Sequence, residues 1–574
     1  MDTEPATRTP DPGPEVPARS SAGGAEPRPR RPWTRWLPRY PWSGTVGALV
    51  FGCASLTPSL LPRGWLLQGL VAGITAAIGY GVGVAIAWFV AEVADRRLSA
   101  AARHRAWQVV AVAGPVLVVV ALWLGVRWQR QIHRLVGLDP PEGWSAVGVV
   151  VVAVLVFAGL VAVARGVRWT GRWLVRTLGR VLPGRIARPL GVVLAGALVV
   201  FLLNGVLFGG LVEAANSAFG VRDDGTEAGA VQPTVPERSG GPGSLVAWDS
   251  LGLQGRNFVG TGPTPEELAA FSGRPALQPV RAYAGLATAE DAADRAAVAV
   301  RDLQRAGGLD RAVLAVVTTT GTGWVDPAAS TTLEYAFNGD TAMVAMQYSY
   351  LPSWLSFLVD QAKAREAGRA LFDAVYGAWA QLPPEDRPRL LVFGESLGTF
   401  GGEAAFSGLA DIANRTDGVV WAGPPNFNEL WRELVADRDA GTPEWLPVVE
   451  DGRTVRFADE APDLAEPPGP WDRPRVVYLQ NASDPIVWWS PRLLLSRPDW
   501  LEGERGPDVS PEMVWLPVVT FWQVTADLVF STGVPDGHGH RYEADYADAW
   551  AEVAQPPGWT DADTERLRQL VAGG

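Results

Sequence analysis

RLLVFGESLGTF, residues 389–400, decides the fold. Arg389 to Phe393 is an apolar run that reads as a buried strand ending directly at Gly394. Residues 397–413, with Ala404, Ala405, Leu409 and Ile412, read as the helix that follows. Between them Gly394-Glu395-Ser396-Leu397-Gly398 has the form of a nucleophile elbow, a sharp strand-to-helix turn that carries a serine. Glycines on both sides permit the cramped backbone and let the helix pack close to the strand. The turn presents Ser396 Oγ at the carboxyl edge of a sheet.

A serine hydroxyl needs a base to be nucleophilic near neutral pH. The chain has only four histidines. His104 and His133 belong to the apolar N-terminal part, which leaves Gly537-His538-Gly539-His540. The glycines flanking His538 would let its backbone approach the elbow, so His538 is the favoured base. His540 is the alternative, or else orients the loop through Tyr542. In the chain order serine, acid, histidine, a carboxylate should follow a later strand. Val476–Leu479 is such a strand and Asp484 lies just after it, with Asp527 as the less suitable fallback in helical surroundings. An oxyanion hole needs two donors. Leu397 N–H is one, and Thr320 or Gly321 in the small, polar TTTGTGW loop at 318–324 is expected to supply the other. That loop lacks the Lys-Ser/Thr of a phosphate loop. The aromatics Tyr348, Tyr350, Trp354, Phe357, Trp488 and Trp489 either line an acyl pocket or pack in the core.

Outward from the elbow, short apolar runs alternate with helical patterns, the signature of a mostly parallel sheet. Strands are expected at 280–284, 312–317, 343–347, 390–393, 418–421 and 476–479. Helices are expected near 289–306, 360–381, 397–413 and 543–554. The irregular, Pro- and Trp-rich stretch between Trp421 and Val476 is expected to form a lid or cap.

The N-terminal part is of a different kind. Hydrophobic residues make up 48% of the 574-residue chain, and the mean hydropathy of +0.07 is high for a soluble protein of this size. Five spans are expected at about 44–61, 65–91, 106–126, 144–164 and 187–212. Trp65, Trp88, Trp107, Trp123 and Trp144 stand near their ends, as interfacial aromatics do. Asn204 is the main polar group inside a span, and Glu92 and Asp95 lie at an end, so an anchor is expected rather than a transport path. Residues 1–42 read as a disordered basic tail ending in Arg30, Arg31, Trp33, Arg35, Trp36 and Arg39. The membrane domain is set at 43–212, a linker at 213–245, and the catalytic domain at 246–574.

Arginines orient the spans. Arg96, Arg97, Arg103 and Arg105 fill one loop, and Arg165, Arg168, Arg172, Arg176, Arg180, Arg185 and Arg188 another. Both loops, with the basic tail, belong in the cytoplasm, which puts the catalytic domain outside. Arg127, Arg130 and Arg134 fit this poorly. The period of Arg165 to Arg180 reads as an amphipathic helix lying on the inner leaflet. The net charge of −12, concentrated in the C-terminal part, excludes nucleic acid as a partner. Cys53 is the only cysteine, so neither an intrachain disulfide nor a cysteine metal site can form, and no cofactor is implied.

The runs QYSYLPSW at 347–354, GESLG at 394–398, WAGPP at 421–425, SDP at 483–485 and GHGH at 537–540 together resemble the actinobacterial membrane-anchored α/β-hydrolase family. The resemblance implies a multi-span α-helical domain followed by an α/β-hydrolase-type catalytic domain. The expected function is a serine hydrolase, an esterase or lipase, acting on a lipid-like ester at the outer face of a bacterial plasma membrane, with membrane lipids as its partners. An acyltransferase using the same triad, and a non-catalytic receptor or scaffold, are the alternatives.

Overall fold

Glycine spacing governs how the N-terminal helices meet. In the computed structural model, which describes residues 41–93, 99–140, 145–180, 183–201, 217 and 222–572, the described part of the chain begins with the helices α1 (Trp42–Ala54), α2 (Trp65–Val93), α3 (Ala100–Leu135), α4 (Ala146–Leu178) and α5 (Gly184–Val200). A Cβ on Gly47 would lie 2.1 Å from Gly79 O, and one on Gly83 2.3 Å from Ser43 O, so α1 and α2 meet backbone to backbone and antiparallel. Gly69 and Gly73 abut Val152 and Val156, which sets α2 alongside α4 in the same direction. The expectations for the tail before Pro41, for Asp95, Arg96, Arg97, Trp144 and Asn204, and for residues 202–212 of the fifth span fall outside the described residues.

Three helices among the described residues are long and apolar enough to cross a membrane: α2, α3 and α4. The span expected at 44–61 is not one helix. At 13 residues α1 is about 20 Å long, short of a hydrocarbon core of about 30 Å. It stops at Ala54, and residues 55–63 leave it to pack on the catalytic domain, where Leu60 and Leu61 are fully buried. The separate interfacial helix expected from the arginine period is also corrected. Arg165 to Arg176 continue α4 without a break, because nothing in the sequence interrupts a helix capped at Ser145. Since α3 runs toward the catalytic domain and α2 and α4 run away from it, Arg103 and Arg105 at the start of α3 and the arginines at the end of α4 belong to the end of the bundle remote from that domain. The last turns of α3 reach that domain instead: Gln131 donates to Glu512 (2.5 Å). That hydrogen bond, and further the charge of Arg127, hold Glu512 below the usual carboxylate range.

The catalytic domain is built on seven parallel strands: β1 (Val280–Ala284), β2 (Val313–Thr318), β3 (Thr341–Met346), β4 (Arg389–Glu395), β5 (Gly418–Ala422), β6 (Val455–Ala458) and β7 (Arg475–Leu479), in the order β1-β3-β2-β4-β5-β7-β6. Strand residues alternate between two apolar layers. Leu390, Val392, Val419 and Trp421 face α6 (Ala292–Arg305) and α8 (Gln361–Ala380). Leu391, Phe393, Val420 and Ala422 face α7 (Pro327–Ala336) and α12 (Tyr546–Ala554). The expected helix 397–413 is two, α9 (Leu397–Glu403) and α10 (Leu409–Arg415), broken at Gly408. One more helix, α11 (Val519–Asp527), packs against α2.

Two further expectations are corrected. The stretch between Trp421 and Val476 is not a lid: it supplies β6 and the buried Trp431, whose Nε1 donates to Gln480 (2.7 Å). The described end of the expected linker is not free either. Arg238 donates to Pro263 O (3.1 Å), Ser239 Oγ to Asp302 (2.5 Å), and Arg238 bridges to Arg281 of β1.

Candidate active site

β4 is the central strand, hydrogen-bonded to β2 and β5, and it delivers its last residues to the carboxyl edge of the sheet. There the chain turns at once into α9, and Ser396 takes φ 54° and ψ −127°, a conformation that non-glycine residues rarely adopt. Ser396 N–H donates to Ala422 O (2.8 Å), and Thr399 N–H returns to Ser396 O (2.9 Å). Gly398 makes the turn sterically possible: a Cβ there would lie 2.2 Å from Thr318 O. Leu397 is the first residue of α9, and the N–H groups of a first helical turn have no partner within the helix.

Asp484 follows β7 and is completely buried. Its Oδ2 receives His540 Nδ1 at 2.6 Å and Tyr542 OH at 2.6 Å, while its Oδ1 accepts from Ile486 N–H at 2.7 Å. The carboxylate thus has three donors in a site closed to water. Burial and the Asp484 charge push the Tyr542 phenol well above its ordinary pKa, so it stays a neutral donor. The other edge of the His540 ring, Nε2, is buried and finds no hydrogen-bond partner among the described residues.

Ser396 and His540 line one cavity of about 540 Å³. Tyr350, Phe357, Ile486, Leu528 and Val529 give it apolar walls, and Thr320, Glu395, Arg541 and Glu543 add polar groups. No lining residue comes from between Ala422 and Arg475.

His538, the base favoured from its flanking glycines, is turned elsewhere. Its Nδ1 pairs with Asp508 (2.9 Å), and it does not line the cavity. Asp508 also accepts from Ser483 Oγ, which in turn accepts from Gly539 N–H (2.9 Å), so this pair braces the loop beside His540. The fallback acid Asp527 pairs instead with Arg63 (3.0 Å) in the interior. Thr320 lines the cavity, but its N–H donates to Trp324 O (3.1 Å). Gly321 is not among the residues that line the cavity. Tyr350 and Phe357 belong to the cavity wall, whereas Tyr348 and Trp488 are core residues and Trp489 packs on Phe357. The Trp354 side chain lies outside the described residues.

Three contributors were not read from the sequence. Gly423, with φ +57°, presses on the histidine: a Cβ there would lie 2.3 Å from His540 Cε1. Its place in the WAGPP run was visible, but the contact was not. Tyr542 was noticed only as a loop anchor. Glu395, the residue before the nucleophile, is buried under it and accepts from Tyr546 OH (2.8 Å). Burial and the neighbouring Asp326 hold the Glu395 carboxyl well above its usual range; Asp326, hydrogen-bonded to it, is pushed up to about 6 by its own burial. Both shifts favour the protonated forms of the pair at the base of the elbow.

A strand-to-helix serine, an acid after a later strand and a terminal histidine, on a parallel sheet behind a helical N-terminal part, define a hydrolase-fold protein. Residues 280–567 match the model of an alpha/beta-hydrolase family, and residues 56–263 match the model of that family's N-terminus. The chain belongs to this alpha/beta-hydrolase family. No curated protein and no solved structure matches it.

Proposed function

We propose that the protein is a membrane-anchored serine hydrolase that cleaves an acyl ester, with Ser396 as nucleophile, His540 as base and Asp484 as the acid that orients it. The observation that carries this reading is the 2.6 Å Asp484–His540 pair, with His540 and Ser396 lining the same cavity. Nε2 takes the Ser396 proton as Oγ attacks the ester carbonyl. Asp484 holds Nδ1–H and stabilises the imidazolium. Leu397 N–H and a donor from the 320–322 loop receive the oxyanion. The imidazolium then protonates the leaving alkoxide, and water attacks the acyl-enzyme by the reverse route.

A lipid-like ester suits the apolar walls. Val529 and Phe530 are 66% and 50% exposed just beyond α11, the helix that touches the membrane helices. The arginines at the far end of the bundle support a cytoplasmic location for that end and an extracytoplasmic one for the catalytic domain. The test is labelling of the full-length protein in detergent with a fluorophosphonate. Adduct at Ser396, absent from Ser396→Ala, is expected. A folded wild-type protein that takes no label would favour the scaffold reading.

A further inference from the structure

The loop 55–63 that leaves α1 does more than cross to α2. Its Arg63 Nε meets Asp527 Oδ1 at 3.0 Å, and both side chains are completely inaccessible. The same carboxylate accepts from Ser59 Oγ and from the backbone N–H groups of Leu60 and Leu61. One turn earlier in α11, Gln523 Nε2 donates to Thr57 O (2.8 Å). Arg63 N–H in turn donates to Gln129 of α3 (2.9 Å), so the loop is tied to the bundle as well.

Asp527 ends α11, and the chain continues directly into Leu528–Ser531, part of the cavity wall. Ser531 O accepts the backbone N–H of His540 (2.8 Å). A Cβ built on Gly539 would lie 2.5 Å from Ser531 O and 3.5 Å from Leu61 Cδ1, so the residue before the histidine is wedged against both. A membrane-domain loop, a buried ion pair, a wall segment and the histidine backbone therefore form one continuous series of contacts. Removing one member of a buried ion pair leaves a charge in the interior, which forces local rearrangement.

We infer that Arg63 and Ser59 are positioning residues for catalysis: through Asp527 they fix the 527–531 segment and, with it, the backbone of His540. The membrane helices thus complete the active site rather than merely tether it. This rests on His540 being the base.

The experiment uses the full-length protein in detergent micelles and a p-nitrophenyl ester, with Arg63→Met, Arg63→Lys and Ser59→Ala. In folded Arg63→Met, kcat is expected to fall by about tenfold or more, because the base is misplaced, and KM to rise with it, because Leu528 and Val529 of the same segment line the cavity. Amide hydrogen exchange at His540 accelerates relative to amides of β4. Arg63→Lys, which keeps a charge beside Asp527, regains most of kcat. Wild-type kcat together with unchanged His540 exchange in Arg63→Met would overturn the inference. If Arg63→Met does not fold, Ser59→Ala decides in the same way: lowered kcat with faster His540 exchange supports the coupling, and wild-type values refute it. A wild-type protein that hydrolyses no ester would instead undo the functional reading, while the exchange measurement would still judge the structural coupling.

Discussion

Gly398→Ala should damage the enzyme in a way that can be worked out from the elbow itself. The new Cβ would start 2.2 Å from Thr318 O and 3.3 Å from Thr319 O, whereas real Cβ atoms essentially never approach closer than 3.0 Å. Both neighbours are backbone atoms of the strand end and its loop, so no side chain can rotate away. Relief requires α9 to withdraw from β2 by about 0.8 Å, the difference between 3.0 and 2.2 Å. Overpacking of this kind costs about 1–3 kcal/mol of stability. The larger effect is on rate. Gly398 is two residues from Ser396 and next to Leu397, so nucleophile and oxyanion donor move with the helix. A misplacement of about 1 Å costs on the order of 10²-fold in rate. Ester hydrolysis and fluorophosphonate labelling should both slow by about that factor in protein that remains folded. Gly377→Ala is the control. It lies in α8 with nothing within 4 Å, and Ala is the better helix former, so full activity and a gain of up to about 1 kcal/mol are expected. Wild-type turnover in Gly398→Ala would mean that the elbow does not hold the reacting serine.

Gly423→Ala should reduce activity by about tenfold or more, because its Cβ would enter the His540 ring at a positive φ; steady-state kinetics with an ester checks this. Stability should depend on pH through the buried acids. Burial raises Asp545, Glu403 and Glu444 to about 7 and Asp326 to about 6, so their protonated forms favour the folded state. That contribution is present below the ordinary carboxylate range of about 4 and is lost as pH rises through about 7. The melting temperature should be higher at pH 5.5 than at pH 8, and Glu403→Gln, which keeps an acceptor for Tyr478 OH, should narrow the difference. Alkaline phosphatase fused after Gly574 should be active in cells; an inactive fusion beside an active cytoplasmic reporter would reverse the proposed topology.

The sequence was most legible where one local rule sufficed. Six of the seven strands are visible as apolar runs, because a parallel sheet covered on both faces needs continuous apolarity. β6 was missed because Arg456 interrupts a strand of only four residues. That guanidinium is accommodated by Leu464 O (2.7 Å) and the Trp471 ring, partners that cannot be read locally. The first span was over-extended for a related reason. Hydropathy cannot distinguish lipid from protein interior, and Leu56, Leu60 and Leu61 are buried in protein. In the site, the elbow and Asp484 stood out by their place after strands. The choice between two histidines two residues apart depends on Asp484, Asp508 and Gly423, all distant in sequence, and the flanking glycines pointed to the wrong ring for contact with Asp484.

The central claim is that His540, held by Asp484, activates Ser396. The most direct test compares fluorophosphonate labelling of Ser396 in His540→Ala, His538→Ala and wild type, at equal folded concentration. The account predicts that His540→Ala labels slower by about 10⁴-fold or more, since base and nucleophile act as a unit, while His538→Ala, which loosens only the bracing pair with Asp508, stays within about tenfold of wild type. Fast labelling in His540→Ala, or loss confined to His538→Ala, would contradict it.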